Sequence, residues 1–202
     1  MLKKFFQKGK IEAGCDEAGR GALVGPVYAA AVILPLKLPK ALHALDDSKK
    51  LTDKQRRELR TVIEQEATAW SVSSISHSEI DSINILNASI LAMNRAVSQL
   101  TIKPELLLID GNRFKSATEI PFKCIIQGDG LYLSIAAASI LAKTYRDDFM
   151  QELHIQFPDF GWSNNKGYAT QEHRSAIVRL GYSTWHRKSF HIAEEQLMLE
   201  LG

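Results

Sequence analysis

The stretch PELLLID, residues 104–110, decides how this chain is read. Leu106, Leu107, Leu108 and Ile109 leave no polar position to face water, and Asp110 ends the run. A short unbroken apolar segment of this kind is expected of a strand covered on both faces. Working outward, FKCII at 122–126 reads as a similar strand that runs into Gly128-Asp129-Gly130. Upstream, IEAGCD at 11–16 reads as a strand ending at the acidic pair Asp16-Glu17, and VYAAAVIL at 27–34 as a second, closed by Pro35 and Pro39. TAWSVSSIS at 68–76 alternates well enough to be a third.

Helical signals lie between and after these strands. Thr52 and Gln55 form an S/T-x-x-E/Q capping box, followed by Leu59, Val62 and Ile63 at helical spacing. Ile83, Leu86, Ile90, Met93, Val97 and Leu100 make one continuous stripe and predict a single helix over 82–100. LYLSIAAASILAKTYRDDFMQEL, 131–153, predicts a long helix whose early small residues allow close packing on a sheet. A helix over about 171–180 stops at Gly181, and 191–201 reads as a last amphipathic helix. Early strands followed by helix–strand alternation indicate an α/β sheet with helices on its faces, helical toward the C-terminus.

With 202 residues, 24% charged and 45% apolar, the chain is long enough for a real core and has an ordinary globular balance. A net charge of +2 permits a polyanionic partner without requiring one. Cys15 and Cys124 are far apart and form no CxxC unit, so a reducing compartment is expected. MLKKFFQKGK has a basic start but no apolar stretch of signal length, and no run approaches a membrane span. The expectation is a cytoplasmic protein that makes no use of a membrane.

Four carboxylates stand out by position. Asp16 and Glu17 end one strand, Asp110 ends another, and Asp129 follows a third. If those strands are neighbours, three segments deliver acids to one edge of a sheet. Crowded carboxylates repel, and burying them is costly unless cations compensate. Mg²⁺ and Mn²⁺ suit such oxygen ligands and keep waters for a phosphate, and a pair of such ions can activate water and stabilise a leaving oxygen. Any one strand-end Asp is more often a solvated turn residue, so the pattern rests on the set. Asp46-Asp47, in a polar loop, and Asp147-Asp148, within a helix beside Arg146, read as ordinary solvated pairs.

Gly19-Arg20-Gly21 follows the acids, and its glycines let backbone approach a ligand closely. A dinucleotide fingerprint fails here, because the third glycine, Gly25, falls one residue late and the acids would face a pyrophosphate. Gly25-Pro26 reads as turn chemistry. Basic residues cluster at Ser48-Lys49-Lys50, at Lys54, Arg56, Arg57 and Arg60, at Arg113 and Lys115, and at Lys143, Lys166, Arg187 and Lys188. The Arg56–Arg60 group reads as a solvated helix face, whereas Ser48-Lys49-Lys50 precedes a helix start, where phosphate can be met. Asn165-Lys166-Gly167-Tyr168 is a polar loop whose aromatic either packs on the core or lies against a sugar or base. The six histidines show no zinc-site spacing and read as packing or surface residues.

Taken in order, several blocks resemble bacterial ribonuclease HII. They are AGCDEAGRG at 13–21, DSKKL at 47–51, LIDGN at 108–112, Gly128-Asp129, SIAAASI at 134–140, NKGY at 165–168 and HRKSF at 186–190. The resemblance spans about residues 10–195. It implies a ribonuclease H-like α/β fold, a mixed sheet flanked by helices with a helical C-terminal part from about 160 to 202, in one domain over 1–202. It implies endonucleolytic hydrolysis 5′ to ribonucleotides in RNA–DNA hybrids, and to single ribonucleotides in duplex DNA, with Mn²⁺ or Mg²⁺. Products would carry 5′-phosphate and 3′-hydroxyl ends.

By position, the resemblance makes Asp16, Glu17 and Asp110 the metal holders, with Asp129 completing the acidic site. It assigns Gly19, Arg20 and Gly21 to sensing the 2′-hydroxyl and Tyr168 to stacking on the next sugar. Ser48, Lys49 and Lys143 are implied as phosphate or site-supporting groups. Gly130 and Ala169 depart from the family's usual Ala and Gly. No obligate protein partner is evident, and a monomer is the default. The rivals are a hybrid-binding module that cuts nothing and a related nuclease or strand transferase with no 2′-hydroxyl requirement.

Overall fold

A computed structural model describes residues 2–190. Five strands form one mixed sheet: β1 (Glu12–Ala18), β2 (Val27–Ile33), β3 (Ala69–Ile75), β4 (Leu106–Asp110) and β5 (Phe122–Ile125), in the spatial order β3-β2-β1-β4-β5. β1, β2 and β3 pair antiparallel, whereas β4 and β5 join β1 in parallel. Helices α1 (Asp53–Glu66), α2 (His77–Ile83), α3 (Ile85–Ser98), α4 (Leu133–Gln156), α5 (Trp162–Asn165) and α6 (Gln171–Leu180) complete the described fold. No described helix is long and apolar enough to cross a membrane.

The strand period of two sorts side chains between two cores. Ala13 and Cys15 of β1, with Val27, Ala29 and Ala31 of β2, pack on Ala88, Ala92, Met93 and Ala96 of α3. Ala30 and Val32 of β2 turn the other way, toward Leu59 and Ile63 of α1 and Ala137, Ala138 and Leu141 of α4. The run expected to be covered on both faces behaves so, for Leu106–Ile109 are all buried. α4 comes closest to the sheet at Gly14, where an added Cβ would stand 2.2 Å from the Ser134 carbonyl carbon. Only a residue without a side chain permits this approach, as the small-residue start of α4 suggested.

Three expectations need correction. The stripe over 82–100 is not one helix, because Asn84 takes a left-handed φ of +66° and divides α2 from α3. The earlier start was readable: Ser76 and Glu79 form a capping box about two turns before the stripe begins. Asn84 then caps α3 through its own side chain, accepting from the Asn87 amide, and Leu86 and Ile90 stay partly exposed. β5 is an edge strand rather than a strand covered on both faces, with Phe122 exposed and Ile126 beyond it 69% exposed. The basic face of α1 is not free, since Arg57 and Arg60 both bind Asp148 and Arg56 donates to the Ser48 carbonyl.

The Thr52 capping box forms as expected, α6 ends at Gly181, and the predicted helix over 191–201 lies outside the described residues. A third core of Leu23, Val24, Met150, Leu153, Phe160, Trp162 and Ile177 fastens the C-terminal helices to the loop after β1. His173 and His186 are buried beside Trp162, which makes them packing residues as anticipated.

Gly14→Ala should therefore cost about 3 kcal/mol or more, since the new methyl meets backbone rather than a side chain that can move aside. Urea unfolding of the variant measures this, and an unchanged midpoint would refute the close approach.

Candidate active site

Parallel pairing of β1 with β4 brings their C-terminal ends side by side, with Cys15 opposite Ile109, so that Asp16 and Asp110 follow as neighbours. Asp16 is on the face toward α4 and almost fully buried, while Glu17, one residue on, falls on the opposite parity. Asp110 accepts from the Gly128 amide at 2.6 Å, which ties β4 to the turn carrying Asp129. Asp129 is buried and paired with Lys49 Nζ at 2.8 Å. Glu17 is paired with Arg20 at 3.1 Å.

Burial pushes the Asp16 carboxyl well above the usual carboxylate range, and the charges of Glu17 and Asp110 push it further. Ser139 and the Glu17 amide, which donates to Asp16 Oδ1 at 2.7 Å, pull the other way. Glu17 is raised by burial against the opposition of Arg20. Asp110 is raised by burial and by Asp129, with the Gly128 amide opposing. Lys49 is raised by its bond to Asp129.

A hollow of about 420 Å³ on the α4 side of this edge gathers nearly all the residues singled out from the sequence. Its walls are Asp16, Glu17, Gly19, Arg20, Gly21, Ser48, Lys49, Asp110, Lys143 and Tyr168. Asp129 is joined to them through Lys49. The roles of the polar members differ. The Ser48 hydroxyl is engaged with Ser139 Oγ at 2.9 Å, directly under Asp16, so it supports the acids. Lys143 is held by Asp147 at 2.5 Å. Asp147 is thus buried and paired, not a solvated acid as its sequence context suggested.

The two glycines of the 19–21 loop are glycines for different reasons. Gly19 has φ +93°, and a Cβ there would strike Arg146 Nε at 2.0 Å, so the fold demands it. Gly21 has no such φ, and a Cβ there would meet nothing within 4 Å. Nothing in the fold needs a glycine at 21, and the bare backbone opens on the hollow.

Two arginines that sequence reasoning did not place in the site hold this loop in shape. Arg187 is buried and donates to the carbonyls of Gly19, Arg20 and Gly25 at 2.8–2.9 Å. Arg146, also buried, donates to the carbonyls of Val24, Pro26 and Lys166 at 3.0–3.1 Å. Burial pushes both guanidinium pKa values down, and Arg187 is lowered further by the charge of Arg146. Each is satisfied by carbonyl dipoles, with the fork geometry that only Arg supplies. Through Lys166 and the Tyr168 ring, 5.3 Å from its guanidinium, Arg146 joins the glycine loop to the tyrosine loop. Left-handed Lys166 and Gly167 turn that loop and set Tyr168 at the rim. A buried Arg aimed at carbonyls has no sequence signature, though Arg187 does lie in the HRKSF block.

The acidic donor set is all oxygen, which suits a hard divalent cation. Among the described residues no three His, Cys, Asp or Glu side chains already form an ion cage. Glu17 and Asp129 are instead held by Arg20 and Lys49. The fit lies in buried, mutually repelling carboxylates, for which a cation is the natural counter-charge.

Because Asp16, Glu17 and Asp110 keep their protons to higher pH in the fold than in the unfolded chain, their ionisation works against folding. That cost is absent below about pH 4, grows as pH rises past the ordinary carboxylate value, and is complete above the raised ones. Asp16→Asn should therefore raise the melting midpoint of chelator-treated protein near neutral pH by roughly 3 °C. The gain should vanish near pH 4, and a variant melting below wild type at neutral pH would contradict it.

The ribonuclease HII family model matches residues 13–193. Ribonuclease HII of Phocaeicola vulgatus is 56% identical over 201 residues, covering 100% of this chain and 99% of its own. That of Bacteroides thetaiotaomicron is 59% identical over 192 residues, covering 95% of each. Among solved structures, ribonuclease H2 from Pyrococcus horikoshii OT3 superposes with a TM-score of 0.76 at 24% identity, over 94% of this chain and 98% of that one. Bst-RNase HIII in complex with Mn²⁺ gives 0.76 at 20% identity, over 95% and 70%. The mixed sheet, its helical flanks and the match along nearly the whole length agree: the chain belongs to the ribonuclease HII family and is a ribonuclease H, an endonuclease that hydrolyses phosphodiesters.

Proposed function

We propose that the enzyme cuts the phosphodiester on the 5′ side of ribonucleotides, in RNA–DNA hybrids and at single ribonucleotides embedded in duplex DNA. The products carry 5′-phosphate and 3′-hydroxyl ends. The observation that carries this reading is one hollow in which strand-end carboxylates and the bare backbone of Gly21 face the same space.

Asp16, Glu17 and Asp110 hold divalent cations, Mn²⁺ or Mg²⁺, and Asp129 completes the acidic set. Support comes from the all-oxygen donors, the raised carboxyls and the Mn²⁺ complex of Bst-RNase HIII. Such ions supply an activated water and charge stabilisation at the leaving oxygen. The chain's own residues do the rest. Gly19, Arg20 and Gly21 present backbone to the 2′-hydroxyl, held in shape by Arg187. Tyr168 lies against the sugar of the following nucleotide, aimed by Arg146 and the turn at Lys166-Gly167. Lys49 and Lys143, paired with Asp129 and Asp147, support the site, and Ser48 steadies Asp16 through Ser139.

End-labelled duplexes containing zero, one or four ribonucleotides, with and without Mg²⁺ or Mn²⁺, test this. Cutting should require both a ribonucleotide and the metal; cleavage of all-DNA duplex, or cleavage in chelator, would overturn the reading. Asp16→Asn and Asp110→Asn should each lower the rate about a thousandfold, as expected when several kcal/mol of transition-state charge stabilisation is lost. Duplex binding should largely survive. Gly21→Ala should melt like wild type yet cut ribonucleotide-containing duplex at least about tenfold more slowly, the worth of one lost backbone contact. Equal cleavage by this variant would remove Gly21 from the substrate contact.

A further inference from the structure

The acidic edge has a second hollow, on the other face of the sheet. It measures about 380 Å³ and shares Glu17, Arg20 and Asp110 with the first. Its other walls include Asn112 and Arg113, just beyond β4, and Leu86, Ser89 and Ile90 of α3. The two hollows therefore adjoin at Glu17, Arg20 and Asp110, on either side of the ends of β1 and β4. A strand whose scissile phosphate lies on those acids extends in both directions. With Tyr168 lining the first hollow, this one lies on the other side of the acids.

Charge makes the case specific. The cations around the acids are otherwise committed: Arg20 to Glu17, Lys49 to Asp129, Lys143 to Asp147, and Arg146 and Arg187 to carbonyls. Arg113 is exposed, and among the described residues it has no ion-pair partner. An uncommitted guanidinium beside crowded carboxylates is the counter-charge for an incoming anion, and its planar fork suits phosphate oxygens. In the same wall, the Ser89 hydroxyl is buried with no hydrogen-bond partner, an arrangement that an apolar occupant would not relieve. Leu86 and Ile90 stay partly exposed here although they belong to the apolar stripe, offering a surface for the flat side of a sugar.

We propose that this hollow is a subsite for the sugar–phosphate backbone on the 5′ side of the scissile bond, with Arg113 on a phosphate and Asn112 beside it. The proposal rests on the function given above, and it sets the direction in which the strand crosses the acids.

The test compares wild type, Arg113→Ala and Lys103→Ala, the last removing the same charge at the opposite end of β4. Substrates are duplexes carrying one ribonucleotide with full arms, with the cleaved strand shortened to one nucleotide 5′ of the cut, or shortened on its 3′ side. On full arms, Arg113→Ala should raise KM on the order of five- to tenfold with kcat within twofold, and lower the salt slope of binding by about one. Lys103→Ala should behave as wild type. Removing the 5′ arm should raise the wild-type KM and erase its difference from Arg113→Ala; removing the 3′ arm should leave that difference intact. An Arg113→Ala enzyme indistinguishable from wild type, or a defect that follows the 3′ arm, would overturn the subsite alone. A wild type that cuts none of these duplexes would overturn the functional reading, and the subsite with it.

Discussion

Much of this molecule depends on how closely α4 lies on β1. At Gly14 the helix backbone comes so near that no side chain fits between. Ser139 is thereby brought beneath Asp16, with Ser48 behind it, and the end of β1 is held against a rigid helix rather than left as a loop tip. Catalytic side chains on strand ends backed by packed elements are held more precisely than side chains on free loops. The same helix carries Lys143, Arg146 and Asp147 farther along, so one element supports the acids, the glycine loop and the tyrosine loop together.

A second constraint is electrostatic. The sheet presses Asp16 and Asp110 together at a buried edge, with Glu17 adjoining, and each is penalised for its charge. A fold that accepts such a cost with only part of it offset by its own cations suits a counter-charge supplied from outside. The chain offsets part of the cost with Arg20 and Lys49 while leaving Asp16, the most buried of these three, without a cation partner among the described residues. The buried arginines show the opposite solution: Arg146 and Arg187 are stabilised by carbonyl dipoles, and the loops supplying those carbonyls are fixed in return.

Parity along β1 links these two constraints to the shape of the site. Asp16 belongs to the α4 face and Glu17 to the α3 face, so adjacent acids stand at the junction of two hollows rather than at the bottom of one pocket. A site open along a line suits a continuous polymer better than a small molecule, which would be enclosed.

Local pattern was enough to place every strand of the sheet, the Thr52 cap, the close-packing start of α4 and the end of α6, because propensity, periodicity and capping act within a few residues. The ordered motifs likewise singled out Asp16, Glu17, Asp110, Gly19 to Gly21 and Tyr168, which the fold brings to one hollow, with Asp129 joined through Lys49. Pairing was beyond reach of that reasoning. The edge position of β5 depends on which strands pair, the left-handed break at Asn84 on a single backbone angle, and the engagement of Arg57 and Arg60 by Asp148 on partners 88 or more residues away. So does the burial of Arg187, which reaches carbonyls 162–168 residues distant. By itself the sequence determined the strands, the main caps and the family motifs that single out candidate residues. Only the tertiary structure decided which cations are spent, which glycine is structural and on which face each acid lies, because those depend on long-range contacts that no local pattern encodes.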